Sequence, residues 1–121
     1  MKKDVERAWI LTGRVDGEKW TIETHEMTVG RPASVEANWG WALAREEEQG
    51  DVVGFWHTHP AGAGTSPSGR DVRTMQAWCS AFGKPLLCLI SEEGQEGEAA
   101  VYLFENDESE GRRVEDDKVT R

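Results

Sequence analysis

The stretch VVGFWHTHP, residues 52–60, decides how this chain folds. Its apolar residues 52–56 predict a buried strand, and Pro60 ends that strand because proline cannot donate to a strand ladder. Residues two apart in a strand point to the same face, with Cα atoms roughly 6.5–7 Å apart. The side chains of His57 and His59 should therefore lie together, close enough for both rings to reach one metal ion.

A second motif, SGRD at residues 68–71, follows after a loop that contains glycine. Ser68 and Asp71 have the spacing of a helix start, with Ser68 as the N-cap and the acid favoured by the helix dipole. The apolar periodicity that follows predicts a helix over Gly69–Phe82. A carboxylate fixed in a first helical turn also makes a well-oriented metal ligand, so the capping and ligand interpretations are compatible. The position after the two histidines favours the ligand.

The complete pattern is His-x-His-Pro, seven residues, then Ser-x-x-Asp. It resembles the active site of the JAMM metalloproteases, also called MPN-plus proteins. The resemblance implies that His57, His59 and Asp71 bind Zn²⁺ and that Ser68 helps to hold the oxyanion. The loop of residues 61–67 is one residue longer than the commonest spacing in the family, and its glycines can absorb the difference.

The resemblance also implies a glutamate as general base on an earlier strand, and Glu6 is the candidate. It stands seven residues before Gly13, which ends an apolar segment predicted as a strand over residues 7–14. Taken by itself, a glutamate that begins a strand is an ordinary solvated charge. The family usually has a helix before this strand, whereas only five residues precede Glu6 here. We therefore expect a trimmed fold, or a partner chain that covers the exposed surface.

The rest of the chain predicts a mixed order of strands and helices. Asp16 and Gly17 indicate a hairpin turn, and Gly40 inside a helix suggests close packing, since glycine costs ~1 kcal/mol against alanine there. The remaining predicted elements are a strand at 19–29, a helix at 35–49 capped by Ser34, strands at 86–91 and 99–105, and a weak terminal hairpin of 112–114 with 118–120. The prediction is one α/β domain over residues 1–121: a curved mixed sheet flanked by helices, the cytidine-deaminase-like JAMM/MPN fold without its usual N-terminal helix.

Composition restricts the setting and the partners. The chain of 121 residues fits one domain, and it has no run of ~18 apolar residues and no apolar signal segment. Its two cysteines stand in apolar segments and are expected in the core, so we expect a reducing, cytoplasmic setting without membrane contact. The net charge of −9 disfavours nucleic acid and suits a partner with a basic face.

The resemblance implies a zinc-dependent hydrolase that cuts the peptide or isopeptide bond after the C-terminal tail of a ubiquitin-like protein. It could mature a precursor or remove the modifier from conjugates, and we expect the tail to add as a strand beside the histidine strand. Small bacterial members of the family are associated with E1-like and E2-like enzymes, which suggests a conjugation or antiphage system, or with sulfur-carrier proteins whose tails are trimmed. The alternatives are a non-catalytic MPN-type scaffold and a DNA-repair-associated relative, and the acidic surface argues against the second.

Overall fold

The computed structural model describes residues 6–30 and 39–121. Two helices in these ranges, α1 (Trp39–Gln49) and α2 (Gly69–Phe82), precede and follow the third strand. The strands there are β1 (Glu6–Asp16), β2 (Lys19–Gly30), β3 (Val52–His59), β4 (Leu86–Glu92), β5 (Ala100–Phe104), β6 (Arg112–Val114) and β7 (Val119–Thr120). They form one mixed sheet, so the predicted α/β class with a curved sheet and flanking helices is confirmed.

The strand order explains the curvature of the sheet. The order is β6-β5-β4-β3-β1-β2-β7, so β6 and β7 lie at opposite edges. Six intervals of ~4.8 Å would place those edges about 29 Å apart in a flat sheet. The five residue steps from Val114 to Val119 span at most about 18 Å. The sheet must therefore curl until its two edges approach each other.

Both faces of the curled sheet are buried. The concave face is covered by its own side chains, and the convex face packs against the two helices. The concave cluster comprises Trp9, Leu11, Trp20, Ile22, Val53, Trp56, Leu87, Leu89, Val101, Leu103 and Val114. The convex cluster comprises Ile10, Ala42, Val52, Met75, Trp78, Cys79, Leu86, Cys88, Ile90 and Phe104. Because β3 belongs to both clusters, its position is fixed from both sides.

The predicted helices and strands agree with the structure except at the C-terminal end. The strands before residue 106 end within two residues of their predicted limits. The helix predicted at 35–49 is confirmed from Trp39 onward, while Ser34 and residues 35–38 lie outside the described residues. The cysteines are free and buried, as predicted. In the part of the chain that the structure describes, no helix combines the length and apolar character needed to cross a bilayer.

The predicted terminal hairpin is wrong. Strand β6 pairs antiparallel with β5, and β7 pairs in parallel with β2 through Trp20 and Val119. A 3-10 turn at Asp116–Lys118 lies between them. Each short strand completes an existing edge, and Val114 packs into the concave cluster at the same time. A hairpin of two such short strands would gain neither contact, since an isolated hairpin is only marginally stable in water.

The prediction of close packing at Gly40 is also wrong. Among the described residues, a Cβ at Gly40 would meet nothing within 4 Å. The tight position is Gly54, which pairs with Leu87 across β3 and β4. A Cβ at Gly54 would lie 2.3 Å from the Leu87 carbonyl oxygen. The absence of a side chain at residue 54 therefore allows the close approach of the two parallel strands.

These two glycines make a matched pair for a stability test. Gly54→Ala should lower the free energy of unfolding by about 1–3 kcal/mol, because β3 and β4 must separate to admit the methyl group. Gly40→Ala should leave it unchanged or raise it by up to ~1 kcal/mol, because alanine favours the helix and its methyl group would meet none of the described residues. Urea denaturation of both variants measures the difference. Equal stabilities would contradict the close approach of β3 and β4.

Candidate metal centre

The two histidines lie at the end of an interior strand. In β3, His57 pairs with Ala8 on β1 and with Ile90 on β4, and His59 pairs with Glu92 on β4. Pro60 follows directly, as the sequence predicted. Because β3 has a neighbour on each side, its backbone is held by two ladders, and the alternation of the strand directs both imidazoles to one face.

The acid comes from the first turn of α2. Ser68 is the N-cap: its Oγ accepts a hydrogen bond from the Asp71 N–H at 3.1 Å. In return, the Ser68 N–H donates to Asp71 Oδ2 at 2.9 Å. This reciprocal capping box confirms the predicted helix start. It also holds the Asp71 carboxylate over the start of the helix, facing β3.

The three side chains converge as the motif predicted. Asp71 Oδ1 lies 3.2 Å from His57 Nε2, and Asp71 Oδ2 lies 3.1 Å from His59 Nε2. One ligand atom from each residue lies within 4.8 Å of the other two. Tetrahedral zinc with bonds of ~2.0–2.1 Å places its ligand atoms about 3.3 Å apart. The His-His-Asp group therefore has the composition and the spacing of a site that could bind a metal ion.

The hydrogen bonds around His59 indicate which nitrogen is available to a metal. His59 Nδ1 lies 3.0 Å from the Gly64 carbonyl oxygen. A carbonyl only accepts, so Nδ1 carries the hydrogen, and in the neutral ring Nε2 presents its lone pair to Asp71. Nε2, which lies 3.1 Å from Asp71 Oδ2, is therefore the nitrogen that the neutral ring can offer to a metal ion. A backbone carbonyl on the far ring nitrogen is the usual support of a metal-binding histidine.

Burial and neighbouring charge shift the pKa of Asp71 in opposite directions. The side chain is only 13% exposed, and this burial opposes ionisation. The hydrogen bond and charge of His57, the Ser68 N–H and the hydrogen bond of His59 outweigh burial and lower the pKa of Asp71 below its usual range. The carboxylate is therefore kept ionised, the form that binds metals.

The structure describes Glu6 only through its backbone. Glu6 begins β1, where it pairs with Gly30 of β2. On the other side β1 runs antiparallel to β3 with Ala8 opposite His57. The recorded pairing ends at Ala8 and His57, and two further steps of the same register would bring backbone position 6 beside His59. The Glu6 side chain lies outside the described part of the chain, and its assignment as the base stays a prediction.

Two further residues support the site through contacts that no local sequence pattern indicates. The buried Thr58 accepts a hydrogen bond from the Arg7 N–H at 2.9 Å, which ties β1 to β3 between the histidines. The carboxylate of Glu92 accepts from the backbone N–H groups of the loop after β3, at 2.8 Å from Gly64 and 3.3 Å from Gly62. In the sequence, Glu92 is the first of several acids in a solvated turn. Its role becomes visible only when the register of β3 and β4 is known.

The third histidine, His25, is not part of the His-His-Asp group. His25 Nε2 lies 2.8 Å from Thr12 Oγ1, and the ring packs 5.4 Å from the ring of Trp41. Across residues 6–30 and 39–121, His57, His59 and Asp71 form the one group of three or more metal-ligating side chains. The candidate centre is thus restricted to the predicted ligands.

Comparison with known proteins identifies the family of this chain and agrees with its fold. The Prok-JAB family, described as prokaryotic homologs of the JAB domain, matches residues 2–105, and the chain belongs to this family. No curated protein matches the chain.

Two solved structures resemble it. The solution structure of a protein from Salinibacter ruber is 22% identical with a TM-score of 0.57, over 96% of this chain and 76% of that one. A protein from Desulfitobacterium hafniense is 20% identical with a TM-score of 0.48, over 91% and 75%. The likeness to the Salinibacter ruber protein supports the fold.

The capping box gives a prediction for Ser68. Ser68→Ala should lower the free energy of unfolding by about 0.5–2 kcal/mol, because α2 loses the acceptor for the Asp71 N–H. Ser66→Ala is the matched control: Ser66 is exposed, and its side chain has no hydrogen-bond partner among the described residues. Chemical denaturation of the metal-free proteins measures both. A Ser68→Ala variant as stable as Ser66→Ala would contradict the cap.

Proposed function

We propose that this chain is a zinc-dependent hydrolase that cleaves the peptide or isopeptide bond after the C-terminal tail of a ubiquitin-like protein. The observation that carries the proposal is the convergence of His57, His59 and Asp71 within 4.8 Å in a member of the Prok-JAB family. A scaffold has no need to hold two imidazoles against an ionised carboxylate at the end of a strand. A hydrolase does.

The ligand set favours catalytic over structural zinc. His57 Nε2, His59 Nε2 and an oxygen of Asp71 would hold the ion, and three protein ligands leave a position for water, as in catalytic sites. When bound, zinc supplies Lewis acidity that polarises a carbonyl and makes water a stronger nucleophile near neutral pH. The side chains of the two histidines are 20% and 14% exposed, so the group is shielded yet accessible to a substrate.

Glu6 is the proposed general base. Its place on β1 supports this role, because strand alternation gives position 6 the same face as Ala8, and Ala8 pairs with His57. Glu6 would accept a proton from the attacking water and return it to the leaving amine, a transfer that typically contributes 10²–10⁴-fold to the rate, by order of magnitude.

Ser68 can act on the substrate while it caps α2. Its Oγ accepts from the Asp71 N–H through a lone pair, which leaves the hydroxyl hydrogen free to donate. The residue is exposed at the same helix start that presents Asp71. We infer that Ser68 donates a hydrogen bond to the carbonyl oxygen as negative charge develops on it, and loss of such a donor typically costs ~10²–10³ in rate.

We infer an approach of the tail over the end of β3 rather than along its length. A tail has no free edge of β3 to pair with from Gly54 to His57, because β1 and β4 already pair with both edges there. The loop after Pro60 and the start of α2, which flank the end of β3, both carry exposed residues. An extended tail that ends in small residues fits such an approach, because the scissile carbonyl must come close to Asp71 and Ser68.

The substrate test uses a ubiquitin-like domain whose C-terminal tail is joined by an amide to a fluorescent reporter. The purified protein should release the reporter, a zinc chelator should abolish release, and added zinc should restore it, because the Lewis acid is essential. A reporter joined through a lysine side chain distinguishes deconjugation from processing. Release that persists in chelator, or no release from any tail fusion, would overturn the proposal.

Two substitutions separate metal binding from proton transfer. Glu6→Gln should retain near-stoichiometric zinc and lower kcat by about 10²–10⁴-fold, because the base is lost while the ligands stay. Asp71→Ala should lose both zinc and turnover, because one of three ligands is absent. Elemental analysis after dialysis and reporter release measure the two properties.

The matched controls are exposed acids away from the site, Glu23→Gln and Asp107→Ala, which should keep both properties. Full zinc in Asp71→Ala would exclude its ligand role. Full turnover in Glu6→Gln would exclude Glu6 as the base.

A further inference from the structure

We propose that Glu92 is a positioning residue for the metal ligand His59, acting through the loop of residues 61–67. This inference rests on the proposed function, because it assigns the orientation of a zinc ligand. Glu92 carries no metal-facing atom of its own in the described group. It acts by fixing the backbone whose carbonyl receives the His59 ring hydrogen.

The first step is the register of β3 and β4. Glu92 is the last residue of β4 and pairs directly with His59, the last residue of β3. The next residue continues the contact, because the Glu93 N–H donates to the His59 carbonyl at 2.8 Å. The backbone of His59 and the base of the Glu92 side chain are therefore held in one fixed relation.

The second step is the contact from Glu92 to the loop. Its two carboxylate oxygens accept hydrogen bonds from separate amides, Oε2 from Gly64 N and Oε1 from Gly62 N. Both glycines have positive φ, 86° at Gly62 and 85° at Gly64, a conformation that other residues rarely adopt. The loop thus turns its N–H groups toward a single carboxylate, and hydrogen bonds to a charged acceptor are the stronger kind.

The third step leads from the loop back to the ring. Glu92 accepts the hydrogen bond of the Gly64 N–H, and the carbonyl of the same Gly64 lies 3.0 Å from His59 Nδ1. That contact selects the tautomer whose Nε2 faces Asp71 at 3.1 Å. Side-chain substitution cannot remove a backbone carbonyl, so Glu92 is the residue through which this support can be altered.

The expected effect follows from supports of this kind in metal sites. Loss of an outer partner of a metal-binding histidine typically weakens metal affinity by 10–100-fold. Because Glu92 acts one contact further out, Glu92→Ala should weaken zinc binding by about 10-fold, the low end of that range. Glu92→Gln keeps one acceptor and loses the other, so its affinity should lie between those of the parent and Glu92→Ala.

The experiment measures zinc affinity by competition with a chromophoric chelator for the parent, Glu92→Ala, Glu92→Gln and the control Glu98→Ala. Glu98 is exposed in the turn after β4, and no hydrogen bond links its side chain to the loop among the described residues, so its substitution removes the same charge nearby and leaves the bonds to Gly62 and Gly64 in place. The absorption spectrum of the Co²⁺-substituted proteins reports the ligand geometry directly. Thermal unfolding of the metal-free proteins separates a site effect from general destabilisation.

The positioning role predicts weaker zinc binding and an altered Co²⁺ spectrum in Glu92→Ala, an intermediate Glu92→Gln, and parent-like values in Glu98→Ala. Affinities and spectra of both Glu92 variants equal to those of the parent would overturn the role while leaving the proposed function intact. If Glu98→Ala loses as much affinity as Glu92→Ala, charge alone is responsible and the role is overturned. A parent that binds no zinc would instead overturn the proposed function, and this role with it.

Discussion

The candidate site depends on one constraint: β3 is an interior strand, paired along its length with β1 on one side and β4 on the other. An edge strand can slip by one residue, which would turn both imidazoles to the opposite face. Two ladders and two hydrophobic clusters prevent that slip. The close approach of β4 at Gly54 fixes the spacing further. Strand alternation alone then suffices to keep His57 and His59 side by side.

The sequence predicts the features that local periodicity specifies. The alternation around His57, the capping residues at Ser68 and Asp71, and the apolar runs of the strands each specify structure within a few neighbouring residues. The pairing of β6 and β7 follows a different rule. Both strands are too short to be stable together, and their partners are whichever edges the curled sheet leaves open. That choice depends on the strand order, which no local pattern contains.

The same distinction explains why the ligands were predicted and their support was not. His57, His59 and Asp71 have fixed spacings along the chain, because one strand and one helix start carry them. Glu92 stands 33 positions from His59 in the sequence and reaches the loop only through the parallel register. In composition it is one acid among many in a protein of net charge −9. Long-range register, rather than residue type, gives it a role.

Asp71 links the folding of α2 to the chemistry of the site. One of its oxygens accepts the Ser68 N–H and faces His59, and the other faces His57. The capping box holds the carboxylate near the histidines, and the carboxylate cannot leave without losing the hydrogen bond from the Ser68 N–H. The capping and ligand interpretations of Ser-x-x-Asp therefore describe the same Asp71 carboxylate. Because Asp71 takes part in the capping box and also faces the two histidines, a cation bound at the site would hold the start of α2 against β3.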